Sequence, residues 1–406
     1  MTPARRSLRI LYHHRTQGRG AEGTHISSIV NALRILGHSV TVVSPPGIDP
    51  LDPANSIPVD KSHVHTRGIG TLWKFTSKYL PNFLFEIVEI FYNIPVHFRL
   101  KTVLASQKFD LIYERYAFYL IAGAFLARKR GIPFVLEANE VSGIPNRARR
   151  QTFVRLCRSF ERMLFRRCRG ILTVSSYLRK LVIAHGVRAE QVRVVPNAVD
   201  IDKFAAARHD TGLAERLGLQ NGRIVVVAGW FDGWDRLDFL VDALAKLVMQ
   251  FPDVKLLVVG DGPVLVEMRG QVSNLGLDKH VVFTGAVPRR EVLPYLGLAD
   301  VAVLPHSSEF GSPVVMFEFM GLRVPVVAPR LPPIEDIHVD GQTALLFTPL
   351  DLAEFVAKIA AYLASPELRG EIAGRAFEKL AREYTWERNA GQILAAAGIG
   401  AAEVQR

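Results

Sequence analysis

The sequence predicts an α/β protein built from two Rossmann-like, doubly wound domains that face each other across a cleft. The first observation is an alternation of strand-like apolar runs and helix-length stretches, which begins at Leu8 and starts again at Arg223. The second is a glycine-rich loop, QGRGAEGTH, after the first strand. Such alternation is typical of parallel sheets covered by helices, and the length of 406 residues allows two domains of roughly 200 residues each.

The first half begins with one βαβ unit. The strand LRILYHH is followed by the glycine loop, the helical pattern ISSIVNALRILG and a second strand in HSVTVV. Further strands are predicted in FDLIYER (109–115), IPFVLEANE (132–140), GILTVSS and VRVVPNAVD, and a helix in AFYLIAGAFLARKRG.

The second half repeats this order. RIVVVAG (223–229) predicts a strand, LDFLVDALAKLVMQ a helix, and VKLLVVGDGP a strand that ends in a glycine turn; VVFTGAVP, DVAVLP and VPVVAP predict later strands. We expect three parts: a first domain at 1–198, a second domain at 199–380, and a C-terminal helix in 381–406 that packs back onto the first domain.

Composition and charge limit the class of protein. The apolar fraction of 49% and charged fraction of 22% are ordinary for a globular chain. The start, MTPARRSLRILYHHR, does not read as a secretory signal. The apolar stretch 80–98 is interrupted by Glu86 and Glu89, so it lacks the ~20 uninterrupted apolar residues of a membrane span.

The two halves of the chain differ in charge. Residues 1–203 hold 31 Lys and Arg against 14 Asp and Glu, a net +17, whereas residues 204–406 hold 19 against 25, a net −6. The basic half predicts an acidic partner, such as nucleic acid, an anionic membrane or a phosphorylated ligand.

The two cysteines and the other potential ligands indicate neither a disulfide nor a metal site. Cys157 and Cys168 are separated by eleven positions on a predicted helix, roughly 16 Å along its axis, which is too far for a disulfide. No His/Cys cluster has metal-ligand spacing. We therefore expect a reducing, cytoplasmic location.

The segment 146–170 predicts a basic amphipathic helix. Its apolar residues at spacings of three and four are Phe153, Leu156, Phe160, Met163 and Leu164. A second stripe consists of Arg150, Arg155, Arg158, Arg162, Arg166 and Arg169. The apolar side can pack on the sheet while the arginines rest on anionic lipid; the alternative is an ordinary surface helix. Nucleic-acid binding is not expected, because no nucleic-acid module is recognisable.

Six motifs in order resemble a known family. GHSVTVV, VPNAVDIDKF, VVGDGP, FTGAVPRREVLPYLGLADVAVLP, FEFMGLRVPVVAP and DGQTALLF are similar to motifs of the retaining, nucleotide-sugar-dependent GT-B glycosyltransferases of family four, the glycosyl transferases group 1. The resemblance covers nearly the whole chain. It implies a nucleoside-diphosphate-sugar donor held by the second domain, an acceptor held by the first, and no metal or other cofactor. The Asp200-Ile-Asp202 triplet is therefore interpreted as a turn and not as a metal site.

The family pattern places two glutamates eight positions apart, but here they are nine apart. The motif FEFMGLRVPVVAP aligns Glu318 with the glutamate that binds the ribose hydroxyls in relatives. Phe310 then stands where relatives have the glutamate that contacts the donor sugar, and Glu309 is displaced by one. A local backbone change would let Glu309 reach the sugar; the alternative is a solvated loop acid.

A second departure concerns the diphosphate. Relatives carry an Arg after the first strand of the donor domain and a Lys five residues later, where this chain has Trp230 and Asp235. We expect Arg236 and the backbone N–H groups of Gly311 and Ser312 to stabilise the charge that builds up on the leaving diphosphate. Trp230 and Trp234 either shape the cleft and stack on a sugar or belong to the core.

The resemblance assigns further candidates to both domains. The expected donor contacts are Gly20, Gly229, Trp230, Arg236, Gly262, Val287, Glu309, Phe310, Gly311, Ser312, Pro313, Val314 and Glu318. Gly18, Gly20 and Gly23 would let the backbone approach the diphosphate, or they form a plain strand-to-helix turn. Asn139 or Glu140 would replace a histidine of the active centre, so the predicted catalytic residues are Glu309, Arg236, Asn139 and Glu140. Tyr113, Glu114 and Arg115 would line the acceptor side; the alternative is structural salt bridging.

The predicted function is the transfer of a sugar from a nucleoside-diphosphate sugar to a glycan or lipid-linked acceptor. The expected partners are the donor, the acceptor and a peripheral contact with an anionic membrane, at the inner face of the cell membrane. Two alternatives remain open: a sugar-nucleotide epimerase of the same fold, and a sugar-nucleotide-binding protein with weak turnover.

Overall fold

A computed structural model of the chain describes residues 6–16, 20–52, 81–144, 151–205 and 211–399. The chain divides into two compact units. The first consists of 1–195 and 386–406, and the second of 196–385. The last helix therefore belongs to the first unit, although it follows the second unit in sequence.

The first unit contains a six-stranded parallel sheet. Its strands are β1 (Arg9–His13), β2 (Ser39–Val43), β3 (Leu111–Arg115), β4 (Phe134–Ala138), β5 (Gly170–Thr173) and β6 (Val192–Val194), in the spatial order β2-β1-β3-β4-β5-β6. Most of these strands are buried on both faces, which explains why they appear in the sequence as continuous apolar runs.

Seven helices of the first unit surround this sheet in the described part of the chain. They are α1 (Gly20–Ile35), α2 (Asn82–Phe91), α3 (Asn93–Ser106), α4 (Ala122–Arg130), α5 (Val154–Phe165), α6 (Ser176–Ala184) and, after the second unit, α16 (Trp386–Ala396). Helix α16 packs against α1, where the Trp386 and His25 rings meet edge to face with centroids 5.1 Å apart. The helix predicted from Ala117 begins only at Ala122, because Tyr119 has a left-handed backbone (φ 61°).

The second unit contains another six-stranded parallel sheet. Its strands are β7 (Arg223–Trp230), β8 (Val254–Asp261), β9 (Val281–Gly285), β10 (Val301–Val303), β11 (Val326–Pro329) and β12 (Leu345–Phe347), in the order β12-β11-β10-β7-β8-β9. Alternate residues of β7 enter different cores: Val225 and Val227 belong to one apolar cluster, and Ile224 and Val226 to another. Helices therefore cover both faces of the sheet.

The helices of the second unit connect these parallel strands. They are α7 (Asp202–Ala205), α8 (Thr211–Arg216), α9 (Leu237–Gln250), α10 (Leu265–Asn274), α11 (Val292–Leu296), α12 (Val314–Gly321), α13 (Pro332–Glu335), α14 (Leu352–Ala364) and α15 (Pro366–Glu383). The last two begin at side-chain caps, where Asp351 accepts from the Glu354 amide and Ser365 from the Leu368 amide. None of the helices in the described ranges is long and apolar enough to cross a bilayer.

Candidate functional site

The second sheet changes direction between β7 and β10. From β7 the chain proceeds outward through β8 and β9, and it then returns to β10 on the other side of β7. Ligands of doubly wound sheets bind outside the carboxyl ends of the strands at such a switch point. The segments that leave β7 and β10 there, 230–236 and 304–313, contain many of the predicted donor residues.

The end of β7 presents a tryptophan to solvent. Trp230 is 54% exposed, so the core alternative is wrong for this residue. Trp234 is half-buried, and its carbonyl oxygen lies 3.1 Å from Nδ1 of His306, which follows β10. A carbonyl oxygen only accepts, so Nδ1 of His306 carries the proton. This bond connects the two segments on either side of the switch point.

Glycines bring the ends of β7 and β8 close together. Gly260 has a left-handed φ of 129°, and a Cβ there would overlap the carbonyl oxygen of Gly229. A Cβ on Gly262 would overlap the backbone of Phe231. Close packing of two strand ends thus accounts for Gly262, whose predicted donor contact stays a prediction.

The turn after β7 contains a pair of aspartates. The amide of Asp232 donates to the Asp235 carboxylate at 2.7 Å, and the Asp232 side chain accepts in return from the amide of Asp235. Burial raises the pKa of Asp235 to about 6. The position where relatives carry a lysine therefore holds a carboxyl group that is protonated below about pH 6.

Arg236 is the N-cap of α9 and has a left-handed conformation, with φ and ψ both 51°. Its guanidinium forms a fork with the neighbouring carboxylate: Nε lies 2.9 Å from Oδ1 of Asp238, and Nη2 lies 2.8 Å from Oδ2. This hydrogen bonding raises the pKa of Arg236. The predicted cation is present next to β7, but Asp238 offsets part of its charge. Its contact with a diphosphate stays a prediction.

The loop after β10 is held by one bond within the loop and by two bonds from Asn197. The Gly311 amide, a predicted phosphate ligand, donates to Oγ of Ser308 at 3.2 Å. Ser312 is buried, and Asn197 fixes it: the Asn197 amide donates to Oγ of Ser312 at 3.2 Å, and Nδ2 donates to the Ser312 carbonyl at 2.7 Å. Pro313 is the N-cap of α12, and Val314 is its first residue. The first amides of a helix have no partner within the helix and attract anions.

Two predicted donor residues of this region differ in burial. Glu309 is exposed, and within the described ranges it forms no hydrogen bond or ion pair. Phe310 is half-buried. Both alternatives for Glu309 stay open, because a solvated loop acid is also free to turn toward a bound sugar. Val287, after β9, is half-buried against the core of the unit, so it supports the loop between β9 and α11.

Glu318 is the buried acid of this region. It lies on α12, is 3% exposed and forms an ion pair with Arg289, which follows β9. Burial raises the pKa of Glu318, and the nearby positive charge of Arg289 opposes that rise. The Arg289 side chain is 36% exposed, so solvent or a ligand can reach the guanidinium. Arg289 thus supplies the partner that a buried carboxylate needs, and the sequence did not reveal it.

The first sheet also has a switch point, between β1 and β3. Tyr113 and Glu114 of β3 are almost fully buried. Glu114 pairs with Nδ1 of His13 at 2.6 Å, and Tyr113 donates to Glu137 of the neighbouring strand. Arg115 also pairs with Glu137, at 2.8 Å. The structural alternative describes all three acceptor-side candidates, and their contact with an acceptor stays a prediction.

Glu137 is the centre of this buried network. Besides Tyr113 and Arg115, Nε2 of His25 lies 2.9 Å from it, and Nδ2 of Asn139 donates to it at 2.7 Å. Burial alone would raise the pKa of Glu137, but the charges of His25 and Arg115 and the hydrogen bonds from His25 and Tyr113 hold it below its usual range.

The predicted active-centre residues of the first unit have different environments. Asn139 is tied to Glu137, whereas Glu140 is half-buried and has a partner of its own. Gly20 begins α1 and Gly23 lies in its first turn; Gly18 falls outside the described residues. His25, His306 and Arg289 were not among the predicted residues. His306 and Arg289 follow strand ends, and that position is the signal that could have identified them, whereas His25 lies within α1.

The basic helix is shorter than predicted, and its buried side differs. It spans Val154–Phe165, and its buried residues are Cys157, Glu161, Leu164 and Phe165. The apolar stripe was therefore partly wrong, because Leu156 is exposed. Buried Glu161 is stabilised by hydrogen bonds from Tyr116, Ser142 and His185. The arginines at 155, 158, 162, 166 and 169 are exposed as expected, and Arg150 lies outside the described residues. Both cysteines, Cys157 and Cys168, are free thiols.

Within the described ranges, no group of three or more His, Cys, Asp or Glu side chains is placed to hold a metal ion. Asp200 and Asp202 belong to a local turn, in which the Asp200 carboxylate accepts from the Asp202 amide at 3.3 Å.

Comparisons with known proteins identify the family. Residues 222–365 match the family model described as glycosyl transferases group 1, and residues 22–203 match that of glycosyltransferase family 4. The 2-deoxystreptamine glucosyltransferase of Streptomyces kanamyceticus is 32% identical over 294 residues, which are 68% of this chain and 73% of that protein.

Two further similarities agree with this result. The GDP-mannose-dependent alpha-(1-6)-phosphatidylinositol monomannoside mannosyltransferase of Mycolicibacterium smegmatis is 30% identical over 200 residues, 48% of this chain and about half (52%) of that relative's length. The crystal structure of Anabaena HepE with UDP-glucose has a TM-score of 0.67 at 20% identity, covers 96% of this chain and 99% of HepE, and shows that the fold is shared. The predicted fold class of two doubly wound domains of the GT-B type is thus confirmed, and the chain belongs to the glycosyl transferases group 1 family of enzymes.

Proposed function

We propose that the protein transfers a sugar from a nucleoside-diphosphate sugar to a glycan or lipid-linked acceptor, with retention at the anomeric carbon and without a metal ion. The observation that carries this proposal is the buried Glu318 carboxylate on α12, the helix that starts beside the switch point of the second sheet. A buried carboxylate with one accessible cationic partner is suited to accept hydrogen bonds from two neighbouring hydroxyls.

The proposed roles follow the positions of the groups along the carboxyl edge. Glu318 accepts from the ribose hydroxyls, while the positive charge of Arg289 opposes the rise in its pKa that burial causes. The first amides of α12 lie on the phosphates, as at other helix N-termini. Arg236 adds positive charge when it shares its fork between Asp238 and the ligand. Trp230, already exposed, provides a flat surface for a sugar or base.

The chemistry requires stabilisation of a leaving group. When the glycosidic bond breaks, negative charge builds up on the diphosphate, and preorganised donors lower the barrier most where that charge develops. In the proposed site, the cations at 236 and 289 and the amides at the start of α12 supply these donors. Metal independence is proposed because they replace the charge that a divalent cation would bring.

The acceptor class is proposed from the named relatives. One of them is named for a phosphatidylinositol mannoside and another for 2-deoxystreptamine, so their acceptors include a glycolipid and an aminocyclitol. Both contain rings with several hydroxyl groups, which supports a glycan or lipid-linked acceptor.

A second candidate is a sugar-nucleotide-binding protein with weak turnover. The Arg236–Asp238 pair favours it, because a cation already neutralised stabilises a leaving group less than a free one. An epimerase would share the fold, but the EFGSP segment followed by Phe317 and Glu318 resembles transferases.

The proposal is tested with a panel of nucleoside-diphosphate sugars added to the purified chain in EDTA. Saturable binding by one base class, followed by release of the nucleoside diphosphate when acceptor glycans or lipids are added, supports it. Binding without release under every acceptor indicates the weak-turnover candidate. Conversion of the donor sugar without acceptor indicates an epimerase, and no binding by any donor contradicts all three.

A further inference from the structure

Helix α2 is folded with its polar and apolar sides reversed. Its two glutamates, Glu86 and Glu89, are buried, while Phe83, Leu84, Ile87 and Phe91 are exposed. A surface helix normally buries its apolar stripe and exposes its charges. This reversal needs a reason, because exposed clusters of large apolar side chains mark interaction sites.

The buried glutamates are fully paired, so the orientation of α2 is well determined. Glu86 accepts from the amides of Thr152 and Phe153, at 2.5 and 3.0 Å, and from the Tyr119 hydroxyl. Glu89 pairs with Arg15 at 2.5 Å. Rotation of the helix to bury its apolar side would break these charge-assisted bonds and leave carboxylates without partners.

The apolar surface continues into the next helix. Asn93 fixes the corner between α2 and α3: Nδ2 donates to the Ile90 and Tyr119 carbonyls, and Oδ1 accepts from the amides of Ile121 and Ala122. Beyond this corner, Ile94 and Phe98 of α3 are exposed. We call the exposed residues the α2–α3 face: Phe83, Leu84, Ile87, Phe91, Ile94 and Phe98.

The exposed charges on the helices of this region have one sign. Helices α2, α3, α4 and α5 contain three acidic residues, Glu86, Glu89 and Glu161, and all are buried. Their basic residues are all exposed, and these are Arg99, Lys101, Arg128, Lys129, Arg130, Arg155, Arg158 and Arg162. These helices thus combine an apolar face with an exclusively positive set of exposed charges.

We infer that the α2–α3 face is a docking surface for an anionic lipid bilayer. Apolar side chains enter the interfacial region while arginines and lysines lie among the acidic headgroups. If a second copy of the chain bound to this face, the exposed basic residues of the two copies would lie close together, and repulsion between like charges disfavours such a contact. The sequence predicted contact of the α5 arginines with anionic lipid. In the present inference, the apolar side chains of α2 and α3 insert into the bilayer, and the basic residues of the neighbouring helices supply the electrostatic attraction. It does not depend on the proposed reaction, since lipid binding needs no donor.

The test measures sedimentation of the full chain with phosphatidylcholine vesicles, with and without phosphatidylglycerol. We expect binding to the anionic vesicles that weakens as salt is added. The double variant Phe91→Ser/Phe98→Ser removes two side chains that are each 62% exposed. We expect it to lower the partition coefficient at least about tenfold, since each phenylalanine loses its apolar burial in the interface.

The matched control is Ile35→Ser/Met249→Ser, which replaces two exposed apolar residues outside the face and should leave vesicle binding unchanged. Replacement of the four arginines at 155, 158, 162 and 166 by glutamine should remove the preference for anionic vesicles. Circular dichroism and thermal unfolding establish that each variant is folded.

An independent readout avoids reliance on loss of binding. In Phe98→Trp the new indole should shift its emission to shorter wavelength when anionic vesicles are added, and in Met249→Trp it should not. The inference is overturned by equal binding to neutral vesicles, by unchanged binding of the Phe91/Phe98 variant, or by an unshifted emission of the Phe98→Trp variant. It is also overturned if the wild type self-associates without lipid and the Phe91/Phe98 variant does not, because the face would then bind a second copy.

Discussion

Removal of the Glu318 carboxylate should weaken binding of the nucleotide itself. If both carboxylate oxygens accept from the ribose, Glu318→Ala removes hydrogen bonds to a charged group, which typically contribute about 1.5–3 kcal/mol. That free energy corresponds to a rise in Kd of about tenfold to about 150-fold. The same factor should apply to the donor and to the free nucleoside diphosphate, because the ribose is common to both.

The substitution also changes the protein, and the structure sets the size of that change. Glu318 is buried, so a methyl group in its place leaves a small cavity and an unpaired Arg289. Because the Arg289 side chain is 36% exposed, water can solvate the freed guanidinium. We therefore expect a loss of stability below the about 3–5 kcal/mol typical of a broken buried pair. Urea unfolding of the variant measures this loss separately from the loss of affinity.

The assay is titration calorimetry with the nucleoside diphosphate of the identified donor, and Glu309→Ala is the matched control. Both substitutions remove one negative charge, but Glu309 is exposed and its predicted contact is with the sugar. Glu309→Ala should therefore leave the affinity for the free nucleoside diphosphate unchanged. If a folded Glu318→Ala variant binds it as tightly as the wild type, Glu318 does not contact the ribose.

Four other predictions concern charge and packing. Arg236→Ala should lower kcat about 10²-fold with a smaller effect on donor binding, and Arg236→Lys should recover only part of the lost turnover. Steady-state kinetics measure both effects, and normal turnover of Arg236→Ala would show that Arg236 does not stabilise the leaving diphosphate. Because the pKa of Asp235 is about 6 when folded and 3.8 ordinarily, its contribution to stability should decline as the pH rises from about 4 to about 6. Asp235→Asn should remove this dependence and add about 1 kcal/mol above pH 6 after solvent screening, and an unchanged pH slope in urea unfolding would refute the assignment. Gly262→Ala should destabilise by about 1–3 kcal/mol, because the added Cβ overlaps the backbone of Phe231. Gly270→Ala on α10, where an added Cβ meets open space, should be neutral or stabilising in thermal unfolding. Because its partners lower the pKa of Glu137, the contribution of this carboxylate to the free energy of unfolding is present above pH 4.5, its ordinary pKa, and is lost as the pH falls below that value. In urea unfolding at pH 7, Glu137→Gln should cost about 3–5 kcal/mol. Wild-type stability in the variant would show that the network is not needed.

The sequence predicts the sheets better than the surface. Parallel strands buried on both faces appear as uninterrupted apolar runs, so β1, β7 and β8 are recognisable, and the helix predicted at LDFLVDALAKLVMQ coincides with Leu237–Gln250. Strand β12, of three residues, was not predicted. Helices α2 and α3 were not predicted. The buried side of α2 could not be inferred from its sequence either, because a reversed helix has the same periodicity as a normal one and only tertiary contacts show which side is buried.

The candidate site was predictable only in part. Spacing and resemblance led to Glu318 and to the absence of the usual cations at 230 and 235. Its partner Arg289 lies 29 positions earlier and belongs to a different strand end, so no local pattern connects the two. The Asp238 fork on Arg236 and the network around Glu137 depend likewise on side-chain geometry.

Hydrogen–deuterium exchange with and without the bound donor shows where on the protein the nucleotide sugar binds. We expect slower exchange in the segments after β7 and β10, within 229–238 and 306–318, and around Arg289, with the same protection in EDTA. Glu318→Ala should lose this protection at matched donor concentration. Protection confined to the first unit, or unaltered in the Glu318→Ala variant, would contradict the claim that the carboxyl edge of the second sheet holds the donor.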